Sequence, residues 1–122
     1  MSRGIDIVKK YFEDSGLTNI KRQHKKRGDA ILIESTFTRS RIQDGAENFV
    51  GEILRITAER KTRILCQAIA DTITNLLTQG FITVAPAAEI HYAKLNSERG
   101  IVEPETDRFK WIAFFEIKGQ TV

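Results

Sequence analysis

Residues 60–79 read RKTRILCQAIADTITNLLTQ. Along them Ile64, Leu65, Ala68, Ile69, Thr72, Ile73, Leu76 and Leu77 recur at i, i+1, i+4, i+5, the broad stripe of a helix lying on a sheet. Gln67, Asp71, Asn75 and Thr78 fall on the polar side, and Gly80 ends the pattern because a left-handed residue after the last turn costs glycine nothing sterically. The spacing predicts a helix of about five turns. On this reading a carboxylate introduced at Ile69 would be buried without a partner. A helix with one wide apolar stripe needs a sheet to cover, so the flanking segments decide the class.

Downstream, residues 81–84 are extended until Pro86 interrupts them, and residues 88–95, AEIHYAKL, predict a strand. Residues 96–107 read as a polar connection with Gly100 and Pro104. Residues 108–118, RFKWIAFFEIK, then alternate, with Phe109, Trp111, Ala113, Phe115 and Ile117 on one face and Lys110, Ile112, Phe114 and Glu116 on the other. Upstream, residues 29–39, DAILIESTFTR, and residues 49–58 are β-type, joined by the loop SRIQDGAEN at 40–48, whose Asp44-Gly45 is a strong turn signal. Gly51 inside a strand points to a bulge or a close approach of backbone. Residues 5–14 place Ile5, Val8 and Phe12 at helical spacing, and Gly16 stops that helix. The expectation is a single α+β domain over residues 1–122 in the order α-β-β-α-β-β, with a four-stranded, mainly antiparallel sheet packed on one long helix.

At 122 residues one core suffices, since folding at this size buries roughly 65% of the unfolded surface. Hydrophobic residues at 41% and charged residues at 29% exclude a disordered composition. Cys66 is the only cysteine, so no internal disulfide can form, and its apolar setting suits a buried thiol. No secretory h-region and no apolar run near the ~18 residues of a membrane span occurs, so a reducing cytoplasm is expected and no membrane partner. The formal net charge of +3 is mostly local, in Lys21, Arg22, Lys25, Lys26 and Arg27. That tract suits phosphates, an acidic patch on another subunit, or plain solvation. No aromatic residue interleaves it, so DNA contact through it would be non-specific.

Residues able to do chemistry are sparse. His24 and His91 lack Cys, His or carboxylate neighbours at metal-ligand spacing, so no zinc site is expected. Neither a P-loop nor a dinucleotide fingerprint is present, and no cofactor is expected. Asp29 and Glu34 are placed as in metal-dependent nucleases, but residue 36 is Thr36 where such a site wants Lys. Arg27-Gly28-Asp29 reads as turn chemistry. No enzyme is predicted. The second face of the last strand, with Ile112 and Phe114, requires a cover: either the first helix folding back across it or another subunit.

The order of elements and residues 102–119, VEPETDRFKWIAFFEIKG, resemble the tail-terminator and tail-completion proteins of long-tailed bacteriophages. In those proteins an acidic, Pro- or Gly-containing turn commonly precedes a closing aromatic strand, as Pro104, Glu105, Thr106, Asp107, Arg108 and Phe109 do here. The loop at 40–48 is similar to their variable loop, whereas the basic stretch before the first strand is longer than theirs. The resemblance implies a ring of six copies that caps the tail tube and joins it to the head. It further implies tail-tube and head-connector proteins as partners, and a path from host cytoplasm to virion tail. The candidate contacts are the basic residues Lys21, Arg22, Lys25, Lys26 and Arg27, the acidic turn Glu103, Glu105 and Asp107, and the apolar pair Ile112 and Phe114. The alternative is a small nucleic-acid-binding or regulatory module using residues 21–27.

Overall fold

Three long strands carry the fold. In a computed structural model, which describes residues 3–21, 29–37, 40–43, 46–84, 88–103 and 107–121, the elements run α1 (Arg3–Asp14), β1 (Ile20–Lys21), β2 (Ala30–Phe37), β3 (Ser40–Gln43), β4 (Ala46–Arg60), α2 (Arg63–Leu77), β5 (Ile82–Val84), β6 (Ala88–Glu103) and β7 (Arg108–Thr121). Strands β4, β6 and β7 have 15, 16 and 14 residues. The sheet order is β1-β2-β4-β7-β6-β5, with β3 beside the first part of β4. Among the described residues only β1 and β2 pair in parallel. Central β7 is bonded along its length, to β4 from Glu47↔Thr121 to Arg60↔Phe109 and to β6 from Ala88↔Thr121 to Glu103↔Arg108.

Side chains of one face of this sheet are buried: Ile31 and Ile33, Leu54, Ile56 and Ala58, then Trp111, Ala113, Phe115 and Ile117. Both helices lie on that face. Helix α1 contributes Val8 and Phe12, and its Gly4 sits so close to Glu52 that an added Cβ would come within 2.0 Å of Glu52 Oε2 and 2.9 Å of Ile117 Cδ1. Helix α2 contributes Cys66, Ala70, Ile73 and Leu77. The helices meet where the Tyr11 hydroxyl donates to the Leu76 carbonyl at 2.8 Å. Each fully buried Phe or Ile in this layer stabilises the fold by about 1.5–3 kcal/mol. The helix ends follow local rules: Thr62 caps α2 by accepting from Leu65 N–H at 3.2 Å, worth about 1 kcal/mol, and Gly16 at φ 95° lets Leu17 N–H reach the Phe12 carbonyl.

The predicted four-stranded sheet on one long helix is corrected: among the described residues there are seven strands, with two helices of 12 and 15 residues on one face. Two segments read as connections are strands. Residues 40–43 and 46–49 pair as a hairpin, with Asp44 and Gly45 outside the described residues. Residues 96–103 continue β6, and residues 96–102 are exposed on both faces of a strand at the sheet margin. Helix α2 begins at Arg63 because Glu59 and Arg60 still belong to β4. Its buried line is Cys66, Ala70, Ile73 and Leu77, so the expected stripe is rotated: Ile64 is 80% and Leu65 50% exposed, and Ile69 is only half-buried. The small side chains of Cys66 and Ala70 let the helix approach the sheet where bulkier Ile64 and Leu65 would hold it off. Gly51 does mark a bulge, with φ 65° and a register shift between Phe49 and Glu52. Helix α1 does not cover Ile112 and Phe114, since it packs against the opposite face.

Candidate assembly surface

The helix-free face is fixed by register. Leu32 pairs with Thr57, Thr57 with Ile112, and Ile112 with Arg99; one step along, Glu34, Arg55, Phe114 and Ser97 form the next row. Directly paired residues project to the same side, so these two rows cross the sheet as a mixture of apolar, polar and charged positions, with Ile112 and Phe114 at the same place in each. Ile112 and Phe114 are half-buried by their row neighbours. Arg55 Nε donates to Glu34 Oε1 at 2.9 Å, and its Nη2 contacts the same oxygen. Beside the first row lies a hollow of about 230 Å³ lined by Leu32, Thr57, Glu59, Ile101, Lys110 and Ile112.

At the end of this face sits a charge cluster. Glu59 is 3% exposed, and Arg108 Nε donates to its Oε2 at 2.6 Å while Nη2 contacts Asp29 Oδ1. Lys110 Nζ stands 3.8 Å from Glu59 Oε1. Burial opposes the Arg108 charge, but its hydrogen bonds to Glu59 and Asp29 outweigh that and hold the guanidinium above its ordinary value. The arrangement locks the start of β7 to the end of β4 and to the entry of β2. Sequence reading singled out Asp29 for another reason and missed the cluster, because its members lie 49 and 79 residues apart.

A second hollow, of about 520 Å³, opens on the helix side between α2 and the β6–β7 hairpin. Trp111 forms its floor and donates from Nε1 to Glu98 Oε1 at 3.1 Å; Arg63 and Gln67 stand on the helical wall. Val102, 52% exposed, sits on its rim, and Ile64 is exposed on the same end of α2. Burial pushes the Cys66 thiol in its wall above its ordinary value, with Arg60 opposing and Glu59 adding to the effect. His91 is exposed at a bulge of β6, stacked on Phe81 at 5.2 Å and 3.2 Å from Glu89 Oε1. Among the described residues no three His, Cys, Asp or Glu gather as metal ligands, and no helix is long and apolar enough to cross a membrane.

The predicted contact residues are only partly described. Lys21 is exposed in β1, whereas Arg22, Lys25, Lys26, Arg27 and Glu105 lie outside the described residues, as does His24. Glu103 ends β6 opposite Arg108, and Asp107 is exposed at φ 55° just before β7. Lys21 and Asp107 flank the same end of the sheet but belong to strands three places apart, roughly 14 Å across at the usual strand spacing. Lys21 and Asp107, the described members of the two charge groups, are therefore not neighbours within one chain.

No protein family matches the chain, and neither does any curated protein. Its fold is similar to that of a chain in the solved virion of a native gene transfer agent particle, with a TM-score of 0.65 at 7% sequence identity. The similarity covers 95% of this chain and 93% of that one, so what the two share is a whole fold from end to end.

Proposed function

We propose that this protein is a structural subunit of a phage-like particle, of the tail-terminator or related head–tail joining type, and that it works by assembly and not by catalysis. The observation that carries the reading is the likeness of fold, over 95% of this chain and 93% of the other, to a chain of a gene transfer agent virion. The resemblance of residues 102–119 to tail terminators supplies the finer part: a ring, six copies in number, that caps the tail tube and meets the head-side connector. The helix-free face and the rim residues Ile64 and Val102 agree with it, since large exposed apolar side chains on a small domain are typical of contact surfaces. Light scattering over a wide range of concentration, together with negative-stain microscopy, tests the reading. Closed rings, alone or on the ends of tail tubes, are expected. A strictly monomeric species that also ignores tail tubes would overturn it.

A further inference from the structure

Strand β6 is 16 residues long, yet among the described residues its outer edge is covered by β5 only at Ala88, Glu89 and Ile90. From Tyr92 to Glu103 it is bonded to β7 on one side and to no described strand on the other. The opposite margin repeats the situation: β1 pairs with β2 at Ile31 and Leu32, and beyond Leu32 no described strand lies outside β2. An edge of this length is a row of N–H and C=O groups offered to any passing strand, and natural sheets usually blunt it with proline, a helix or a short strand. Residues 92–103 contain no proline, and both helices lie over a face of the sheet.

The two margins are complementary. Strand β6 is antiparallel to β7, β7 to β4 and β4 to β2, so β6 and β2 run in opposite directions. A copy placed edge to edge with the same chain direction thus brings β2 antiparallel to β6. Arg99 and Glu34 project from the same helix-free face, Arg99 in the row of Leu32 and Glu34 in the row of Ser97. Both Arg55 contacts to Glu34 end on Oε1. Thr36 sits at the β2 bulge between Ser35 and Phe37, with its hydroxyl donating to the Ile53 carbonyl at 3.1 Å, so the charge pair of Arg99 with a neighbour's Glu34 is the contact that sets the register. The two-residue offset, roughly 7 Å, is the kind of stagger that closing a sheet of tilted strands requires.

We infer that the open edge of β6, centred on Arg99, pairs antiparallel with the open edge of β2 of a second copy of this chain, setting Arg99 against the neighbour's Glu34. The contact is head-to-tail, and since β1 already lies outside Ile31 and Leu32, it engages β2 from Ile33 onward and β6 up to Gly100. It rests on the ring reading and names the surface that builds the ring. The test uses the full chain in a Cys66→Ser background. Glu34→Cys and Arg99→Cys proteins, mixed and oxidised, should form a disulfide dimer that neither forms alone, and the double variant should give a ladder ending at the ring. Arg99 is exposed, so Arg99→Glu should keep its circular dichroism while weakening assembly ~10-fold or more, and Glu34→Arg with Arg99→Glu should restore it. Assembly that ignores Arg99→Glu and yields no mixed disulfide overturns this contact and leaves the ring reading standing. Cross-linking of Arg99→Cys to itself overturns it in favour of β6 pairing with its own copy. A chain monomeric under every condition removes both.

Discussion

At the scale of single residues, three positions hold the frame. Arg108 is a partner of a carboxylate that is almost fully buried, so Arg108→Ala removes from Glu59 the guanidinium at 2.6 Å and leaves Lys110 at 3.8 Å. Breaking such a pair costs about 3 kcal/mol, and urea unfolding should show it; Arg108→Lys should recover only part, because an ammonium cannot fork between Glu59 and Asp29. Gly119 is the second: a Cβ there would lie 2.2 Å from the Glu89 carbonyl oxygen and 2.4 Å from Phe49 Cζ. Since one of those atoms is backbone, Gly119→Ala should cost at least about 1–3 kcal/mol and be visible as a lowered Tm. The third is Cys66, whose thiol burial raises, as burial also raises the Tyr11 phenol. Both groups ionise more readily in the unfolded chain, so above the ordinary thiol value the unfolded state has lost more protons than the folded one. Stability should therefore be level below pH 9.0 and decline above it, first through Cys66 and then through Tyr11. Cys66→Ser should remove the earlier part of that decline; a decline identical in the variant would show that the thiol has no share in it.

At the scale of elements, α2 shows what periodicity conveys and what it omits. Its existence was legible, because eight apolar or small positions recur at helical spacing, although it ends at Leu77 with Thr78 as cap and not at Gly80; its rotation was not, because Ile64 and Leu65 look more like core than Cys66 and Ala70 do. What settles the rotation is the distance of approach to the sheet, a property of two elements at once. The consequence is measurable: Ile73→Asp should abolish soluble expression, Ile64→Asp should be tolerated, and Ile69→Asp should fall between them. Full solubility of Ile73→Asp with native circular dichroism would mean that α2 does not pack where it is placed. The same limit explains the strands. Buried alternation made residues 108–118 legible, and Gly51 announced its bulge, but residues 96–102 are exposed on both sides and carry no alternation to read. The helix-free face was half legible: Ile112 and Phe114 signalled a second apolar face, whereas the Glu34–Arg55 and Glu59–Arg108 pairs come from register, which no local pattern encodes.

At the scale of the whole molecule, the sheet has two ends and two margins, and the charges are distributed between them. Of the basic tract, residues 21–27, only Lys21 is described, in β1 beside Leu32 of β2. Glu103 and Asp107 belong to the β6–β7 corner at the opposite margin and the same end, since Ala30, Glu59 and Lys110 form one row there and Lys110 is two residues from Arg108. In the edge-to-edge contact inferred above, the β2 margin of one copy, where Lys21 lies, would face the β6–β7 corner of the next, and the prediction is that the basic tract adds a second charge contact to the Arg99 pairing. Reversing charge at Lys25, Lys26 and Arg27 should then raise the concentration needed for ring formation while leaving the thermal unfolding of the monomer within about 0.5 kcal/mol of the parent, because exposed charges away from a core contribute little to folding. Salt should act on the unmodified protein in the same direction, since exposed pairs are screened beyond about 8 Å at physiological ionic strength. Light scattering as a function of sodium chloride measures both arms. Rings indifferent to charge reversal and to salt would remove the tract from the interface and leave the β6 edge with the apolar rows of Ile112 and Phe114 as the contact that remains.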